Sequence, residues 1–147
     1  MAPDGCAFCA IAAGRAPAHV VLDDADVVAF LDRRPVFPGH LLVVPRRHVV
    51  TLPELPDGLL GPLFGAVQRC AAALPRALGA DGTWVSVNNV VSQSVPHLHV
   101  HVVPRRRGDG LRGFFWPRHP YADDAEAERT AAQVRAALAG PGSADGG

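Results

Sequence analysis

Three histidines stand at every second position of Pro96-His97-Leu98-His99-Val100-His101-Val102-Val103-Pro104, with aliphatic residues between and after them. Imidazole has an ordinary pKa of about 6.5, so near neutral pH it can serve as a neutral nucleophile, a proton donor or a metal ligand. A period of two is the side-chain period of a β-strand. His97, His99 and His101 are therefore expected on one face, with Leu98, Val100 and Val102 in the core behind them. A strand advances about 13 Å over four residues, so the three rings are neighbours that do not easily meet at one point. The spacing favours three adjacent, separate roles over a single three-histidine metal centre.

A second group with chemical potential is Cys6-Ala7-Phe8-Cys9. A CxxC pair can be a redox dithiol, half of a zinc site, or a coincidence of two reduced thiols. A redox pair would be expected after a thioredoxin-like strand, and only five residues precede Cys6. A zinc site needs two further ligands. Cys70 sits alone in an apolar helical pattern and reads as a small core residue, so three cysteines give no disulfide framework.

The elements that must hold these groups are legible in outline. Phe8 to Ala13 suits a short helix. Ala18–Leu22 and Val27–Leu31 read as strands of a hairpin turning at Asp23-Asp24, and Leu41–Val44 as a central, buried strand. From Asp57 a helical period runs through Leu59, Leu63, Val67, Cys70, Leu74 and Leu78, with Asp57 as N-cap, Gly79 as terminator, and Pro75 expected to kink it or end it early. Trp84–Asn88 and His97–Val103 supply the fourth and fifth strands. Asp123 to Ala139 reads as an amphipathic helix, and 140–147 as a disordered tail. Strands with inserted helices and no regular alternation imply an α+β fold on an antiparallel sheet. We expect residues 1–122 to form one domain, with the helix of 123–139 packed on it.

At 147 residues, nearly half of them hydrophobic, the chain can bury one ordinary core. Fourteen basic and fourteen acidic residues balance, which removes any global electrostatic case for nucleic acid or an acidic membrane. Arg105-Arg106-Arg107 is the one basic run, read as a solvated turn or, less readily, a phosphate-facing one. No apolar stretch approaches the roughly 20 residues of a membrane span, and Met1 to Gly5 has no charged leader or apolar signal core, so a cytoplasmic location is expected.

The residues resemble a known family. His97-Leu98-His99-Val100-His101-Val102-Val103 is similar to the histidine triad (HIT) pattern, as is the preceding Gln93-Ser94-Val95. Phe30-Leu31-Asp32, Pro38-Gly39-His40-Leu41-Leu42-Val43-Val44-Pro45 and Arg47-His48 resemble that family's first block, so that the likeness spans about residues 6–104. The resemblance implies a five-stranded HIT-like sheet with one long helix and a C-terminal helix, commonly in a homodimer. It also implies a nucleotidyl hydrolase or transferase, cleaving at the α-phosphate of a purine nucleotide conjugate and releasing an AMP-like product. The conjugate could be a phosphoramidate, an adenylate or a dinucleoside polyphosphate. By position His99 would be the nucleophile, with Gln93, Ser94 and His101 contacting phosphate and either Ser94 or His101 protonating the leaving group. Asp32 would bind both ribose hydroxyls, Ile11, Phe30 and Leu42 would line the base pocket, and His40 and Asn88 would support the site. Related proteins complete CxxC with two histidines, which implies a structural zinc on Cys6, Cys9, His48 and His97; no organic cofactor is implied. A neutral imidazole suits attack on an anionic phosphorus centre, leaving a phosphoramidate that water can hydrolyse.

Three features depart from the family pattern. The loop Asn88-Asn89-Val90-Val91-Ser92-Gln93 is shorter than the glycine-rich loop of many HIT hydrolases. Arg33 replaces an aliphatic residue and could alter the base pocket or recruit a second phosphate. Gly113-Phe114-Phe115-Trp116-Pro117-Arg118 is unusually aromatic and suits a dimer contact, a lid, or the docking of the last helix. Two rival readings remain: a zinc-water hydrolase with the triad as metal ligands, and a non-catalytic nucleotide-binding module. His19 and His119 match nothing and read as surface residues.

Overall fold

The computed structural model describes residues 3–112 and 117–140. The chain divides into two compact units, Met1–Asp109 and Gly110–Gly147. All but Gly140 of the expected tail at 140–147, and positions 113–116 of the aromatic segment, lie outside the described residues.

The first unit is a five-stranded antiparallel sheet of the expected α+β type. Its strands are β1 (Val20–Asp23), β2 (Val27–Leu31), β3 (Leu41–Pro45), β4 (Gly82–Val87) and β5 (Val100–Arg105), in the order β1-β2-β3-β5-β4. A short helix α1 (Ala7–Ala12) precedes β1, and the long helix α2 (Asp57–Leu78) joins the two halves of the sheet. β5 thus returns between β3 and β4, and this places the histidine segment in the middle of the sheet.

Both faces of the central strands are covered, which explains why β2 and β3 are apolar at nearly every position. On one face Val27, Ala29, Leu41, Val43, Leu98, Val100 and Val102 pack with Leu63, Ala66, Val67, Cys70 and Leu74 of α2. On the other, Val28, Phe30, Leu42 and Val44 pack with Phe8 of α1. The pleat separates the two sets by odd and even positions along each strand. Register then aligns Phe30 opposite Leu42 and Leu42 opposite His101, so that one row runs across β2, β3 and β5 on the α1 side.

Three expectations need correction. The fifth strand begins at Val100 rather than His97: after Pro96 the amide of His97 bonds Val95 O and that of Leu98 bonds Val49 O, outside the ladder. The two-residue alternation survives, with Leu98, Val100 and Val102 in the core. Helix α2 runs past Pro75 to Leu78. Its last turn is closed by Gly79, whose left-handed φ of 65° lets its N–H reach Pro75 O at 2.9 Å, while Leu74 anchors it to the sheet. The N-cap is Pro56, and Asp57 is the first helical residue, where its charge complements the helix dipole.

In the second unit α3 (Asp124–Leu138) is capped by the Asp123 carboxylate, which accepts from the Glu126 amide at 2.8 Å. Among the described residues no helix is long and apolar enough to cross a membrane.

Candidate functional site

Cys6 caps α1: its Sγ accepts from the Cys9 amide at 3.4 Å, and one helical turn brings Cys9 alongside it. His48, beyond β3, and His97, before β5, reach the same point. His97 Nδ1 lies 3.4 Å from Cys6 Sγ and 3.5 Å from Cys9 Sγ, and His48 Nδ1 lies 3.3 Å from Cys9 Sγ. All four ligand atoms lie within 4.8 Å of one another. In a tetrahedral zinc site, bonds of about 2.3 Å to sulfur and 2.0–2.1 Å to nitrogen put S and N about 3.5 Å apart, so the spacing fits. The proton inventory fits as well. His97 Nε2 donates to Pro45 O at 2.8 Å, which leaves the Nδ1 lone pair facing the thiols. Burial keeps His97 neutral, lowering its pKa against the opposing effect of the Pro45 bond. Burial and the neighbouring Cys6 push the Cys9 thiol up to about 11, so metal binding here would expel a proton.

The backbone carbonyl of His97 serves the next histidine. It accepts from His99 Nδ1 at 2.7 Å, so the Nδ1 proton is engaged and Nε2 carries a free lone pair. Phe8 of α1 meets the rings of His97, His99 and Phe30 edge to face, with centroids 5.9, 5.2 and 5.4 Å away. Phe8, one of the two residues between the cysteines, therefore braces the ring of His99.

A third chain of bonds orders His101. The Val36 amide can only donate, and it points at His40 Nδ1 from 3.1 Å; neutral His40 must then carry its proton on Nε2. That Nε2 lies 2.9 Å from His101 Nδ1, which makes His101 Nδ1 the acceptor and leaves the His101 proton on Nε2. Both rings are neutral near pH 7: burial lowers His40, and burial together with His99 and His40 lowers His101 to about 4, with Asp32 opposing in each case. Asp32 Oδ2 lies 3.7 Å from His40 Nε2, and its Oδ1 accepts from the Arg34 amide at 2.9 Å. Asp32, His40 and His101 are close enough to hold a cation. A cation, however, would need the His40 Nε2 lone pair, and the Val36 N–H forces a proton onto that atom. The rings of His97, His99 and His101 do not converge on a common point, because each is committed to a different partner.

These groups open onto a cleft of about 950 Å³, within the range of small-molecule sites. Phe8, Ile11, Phe30 and Leu42 give it an apolar interior, and Asp32, Ser94, His99 and His101 supply polar groups. Gln93 and Asn88 take other positions. The Gln93 side chain donates to Val50 O at 2.6 Å and accepts from the Val90 amide at 3.0 Å, and Asn88 donates to Ser92 O at 3.3 Å. Both brace the short loop, in which Val90 and Ser92 adopt left-handed φ values of 71° and 62°. Such values are uncommon for non-glycine residues, and a β-branched valine there is a clear outlier. Sequence reasoning gave Phe8 no part in the site, although its place between the cysteines was a signal. His19, read as a surface residue, is exposed and also lines the cleft. Arg46 carried no signal, yet it joins α1 to the hairpin through Ala12 O at 2.5 Å, Asp24 O at 2.7 Å and Asp23. In the basic run, Arg105 pairs with Asp109 and Arg106 bonds Leu78 O, so two of the three arginines hold the end of β5.

The profile of the HIT domain family matches residues 13–108. An uncharacterized HIT-like protein of Mycobacterium tuberculosis is 40% identical over 139 residues, covering 91% of this chain and 93% of its own length. An adenosine 5'-monophosphoramidase of Schizosaccharomyces pombe is 31% identical, covering 81% and 88%, and an adenylylsulfatase of Arabidopsis thaliana is 31% identical, covering 88% and 68%. Among solved structures, a HIT family protein from Bacillus subtilis superposes with a TM-score of 0.81 at 33% identity, over 90% of this chain and 96% of its own. A zinc-bound histidine triad protein from Mycobacterium smegmatis does so with a TM-score of 0.70 at 36% identity, over 92% and 98%.

Proposed function

The chain belongs to the HIT family, whose members include hydrolases, and from that premise we propose that it cleaves purine nucleotide conjugates at the α-phosphate through a nucleotidyl-His99 intermediate. The observation that carries this reading is the hydrogen bond from His99 Nδ1 to His97 O, which leaves an Nε2 nucleophile in the same cleft as His101 and Ser94. In the first step His99 Nε2 forms a bond to phosphorus, the bond from phosphorus to the leaving group breaks, and that group takes a proton from His101 Nε2 or Ser94. The proton order along Val36, His40 and His101 leaves the Nε2–H of neutral His101 unengaged, so that it can polarise the leaving group or a phosphate oxygen by donating a hydrogen bond. Water then attacks phosphorus and gives a proton back to the group that protonated the leaving group, the N–P bond breaks, and its electron pair returns to His99. Asp32 binds the ribose hydroxyls, and Ile11, Phe30 and Leu42 hold the base. Gln93 reaches phosphate, and Asn88 the nucleotide, only after the loop bonds described above have opened.

Cys6, Cys9, His48 and His97 bind a structural zinc. Four protein ligands leave no open position, so the ion supplies no Lewis acid; it anchors α1 and the His97 segment. Two copies pair through β4, the last strand in the sheet order, where Val85 is 42% exposed, and the protein works in the cytoplasm.

The test is turnover of a fluorogenic adenosine phosphoramidate and of diadenosine polyphosphates by wild type and His99→Ala, with trapping of adenylylated protein. Turnover and adduct that both disappear in the variant support the mechanism. Turnover that survives His99→Ala, or AMP binding with no turnover in wild type, refutes it; the second outcome indicates a binding module.

A further inference from the structure

Arg33, Arg34 and His19 line the same cleft as His99 and His101, and all three are exposed. Asp32 is the one carboxylate among the lining residues. Among the described residues no ion pair engages either arginine. Arg33 Nη2 donates to Pro17 O at 3.1 Å, which steers the guanidinium along the wall and leaves its other N–H donors available. Arg34 holds Asp32 through its backbone amide alone, so its side chain is not needed for that contact. The cluster lies at the C-terminal end of α1: the amide of Ala16 bonds Ala10 O there, and His19 O accepts from Leu31 N beside Asp32. His99, His101 and Ser94 supply further polar groups to the same cleft.

A phosphate at His99 and His101 already meets the donors of that pair and Ser94, and an uncharged base is accommodated by the apolar interior. We propose that His19, Arg33 and Arg34 form a second anion subsite, which takes a further phosphate group carried by the nucleotide. The inference rests on the nucleotide reading above and sharpens its substrate class. Guanidinium groups bind phosphate through forked, charge-assisted hydrogen bonds, and the imidazole of His19 adds a donor. The shared chemistry is a terminal, dianionic phosphoryl group, whether attached at the ribose 2' or 3' position beside Asp32 or carried on a polyphosphate chain that folds back.

Isothermal titration of the full-length, metal-loaded protein with AMP, adenosine 3',5'-bisphosphate, adenosine 2',5'-bisphosphate and ADP separates these sources. At least one of the three doubly phosphorylated ligands is expected to bind about tenfold or more tighter than AMP, as one or two charge-assisted bonds provide. The preferred ligand identifies the source. In Arg33→Gln/Arg34→Gln the ratio to AMP should fall to within about twofold, and in wild type it should narrow as KCl is raised. Both positions are exposed, so the variant is expected to keep the wild-type unfolding midpoint. Equal affinity for AMP and all three ligands, or a preference that persists in the variant, overturns the subsite while leaving the nucleotide reading intact. Failure to bind any of the four overturns both.

Discussion

The pH dependence of stability at His101 gives a direct test of the proton order in the site. His101 is held near pKa 4 against an ordinary 6.5, chiefly by burial, then by His99 and His40, with Asp32 working in the opposite direction. A base whose folded pKa is depressed binds its proton more readily in the unfolded chain. Stability is therefore unaffected above about pH 6.5 and falls as the pH drops from there towards 4. A gap of 2.5 pK units at 1.36 kcal/mol each gives about 3 kcal/mol by pH 4. His101→Gln removes this titration. The measurement is urea unfolding of wild type and variant at pH 7.5, 6, 5 and 4. The advantage of wild type over variant should shrink by about 3 kcal/mol across that range, at about 1.4 kcal/mol per unit in its steep part. Taking the difference between the two proteins cancels, to first order, the titration of His40, His97 and the carboxylates. A difference that stays flat with pH would refute the argument, since His101 would then titrate alike in both states and could not be the neutral acceptor of the His40 proton.

Cys9→Ala should reduce bound zinc from about one per chain to a small fraction and lower the unfolding midpoint, because four-ligand binding free energy is also folding free energy; metal analysis and calorimetry check this. Asp32→Ala should weaken AMP about tenfold and abolish the preference for ribose over 2'-deoxyribose, read by titration with AMP and dAMP. Leu63→Ala, at a fully buried position where α2 meets the sheet, should cost 2–5 kcal/mol by urea unfolding. Gly39→Ala should be destabilising by about 1–3 kcal/mol: Gly39 has a φ of 100°, and a Cβ there would collide with Leu78 just before His40, so the loss should be accompanied by slower turnover.

Local pattern carried much of this protein. The alternation from His97 to Val102 identified which side chains face the core and which face the cleft, because a pleat of period two assigns faces wherever the segment is extended, even before the ladder begins at Val100. The helical period likewise located α2, and the unbroken apolar run Leu41–Val44 identified β3 as central. Where local pattern failed, long-range packing had intervened: α2 continues through Pro75 because Leu74 and Gly79 secure its end, and Pro96 with Val49 keeps His97 and Leu98 out of the ladder.

Tertiary structure decided which groups meet. Residue order does not reveal that β5 inserts between β3 and β4, and only that insertion puts His101 opposite Leu42 and within reach of His40, 61 residues away. The proton positions on His97, His99, His40 and His101 follow from carbonyls and amides at Pro45, His97 and Val36, whose direction is a property of the folded backbone. Gln93, beside the triad in sequence, turns to Val50 because the short loop needs its amide. Side-chain type and spacing state what chemistry is available to this chain. The direction of each donor and acceptor, set by strands distant in sequence, states which of it can occur.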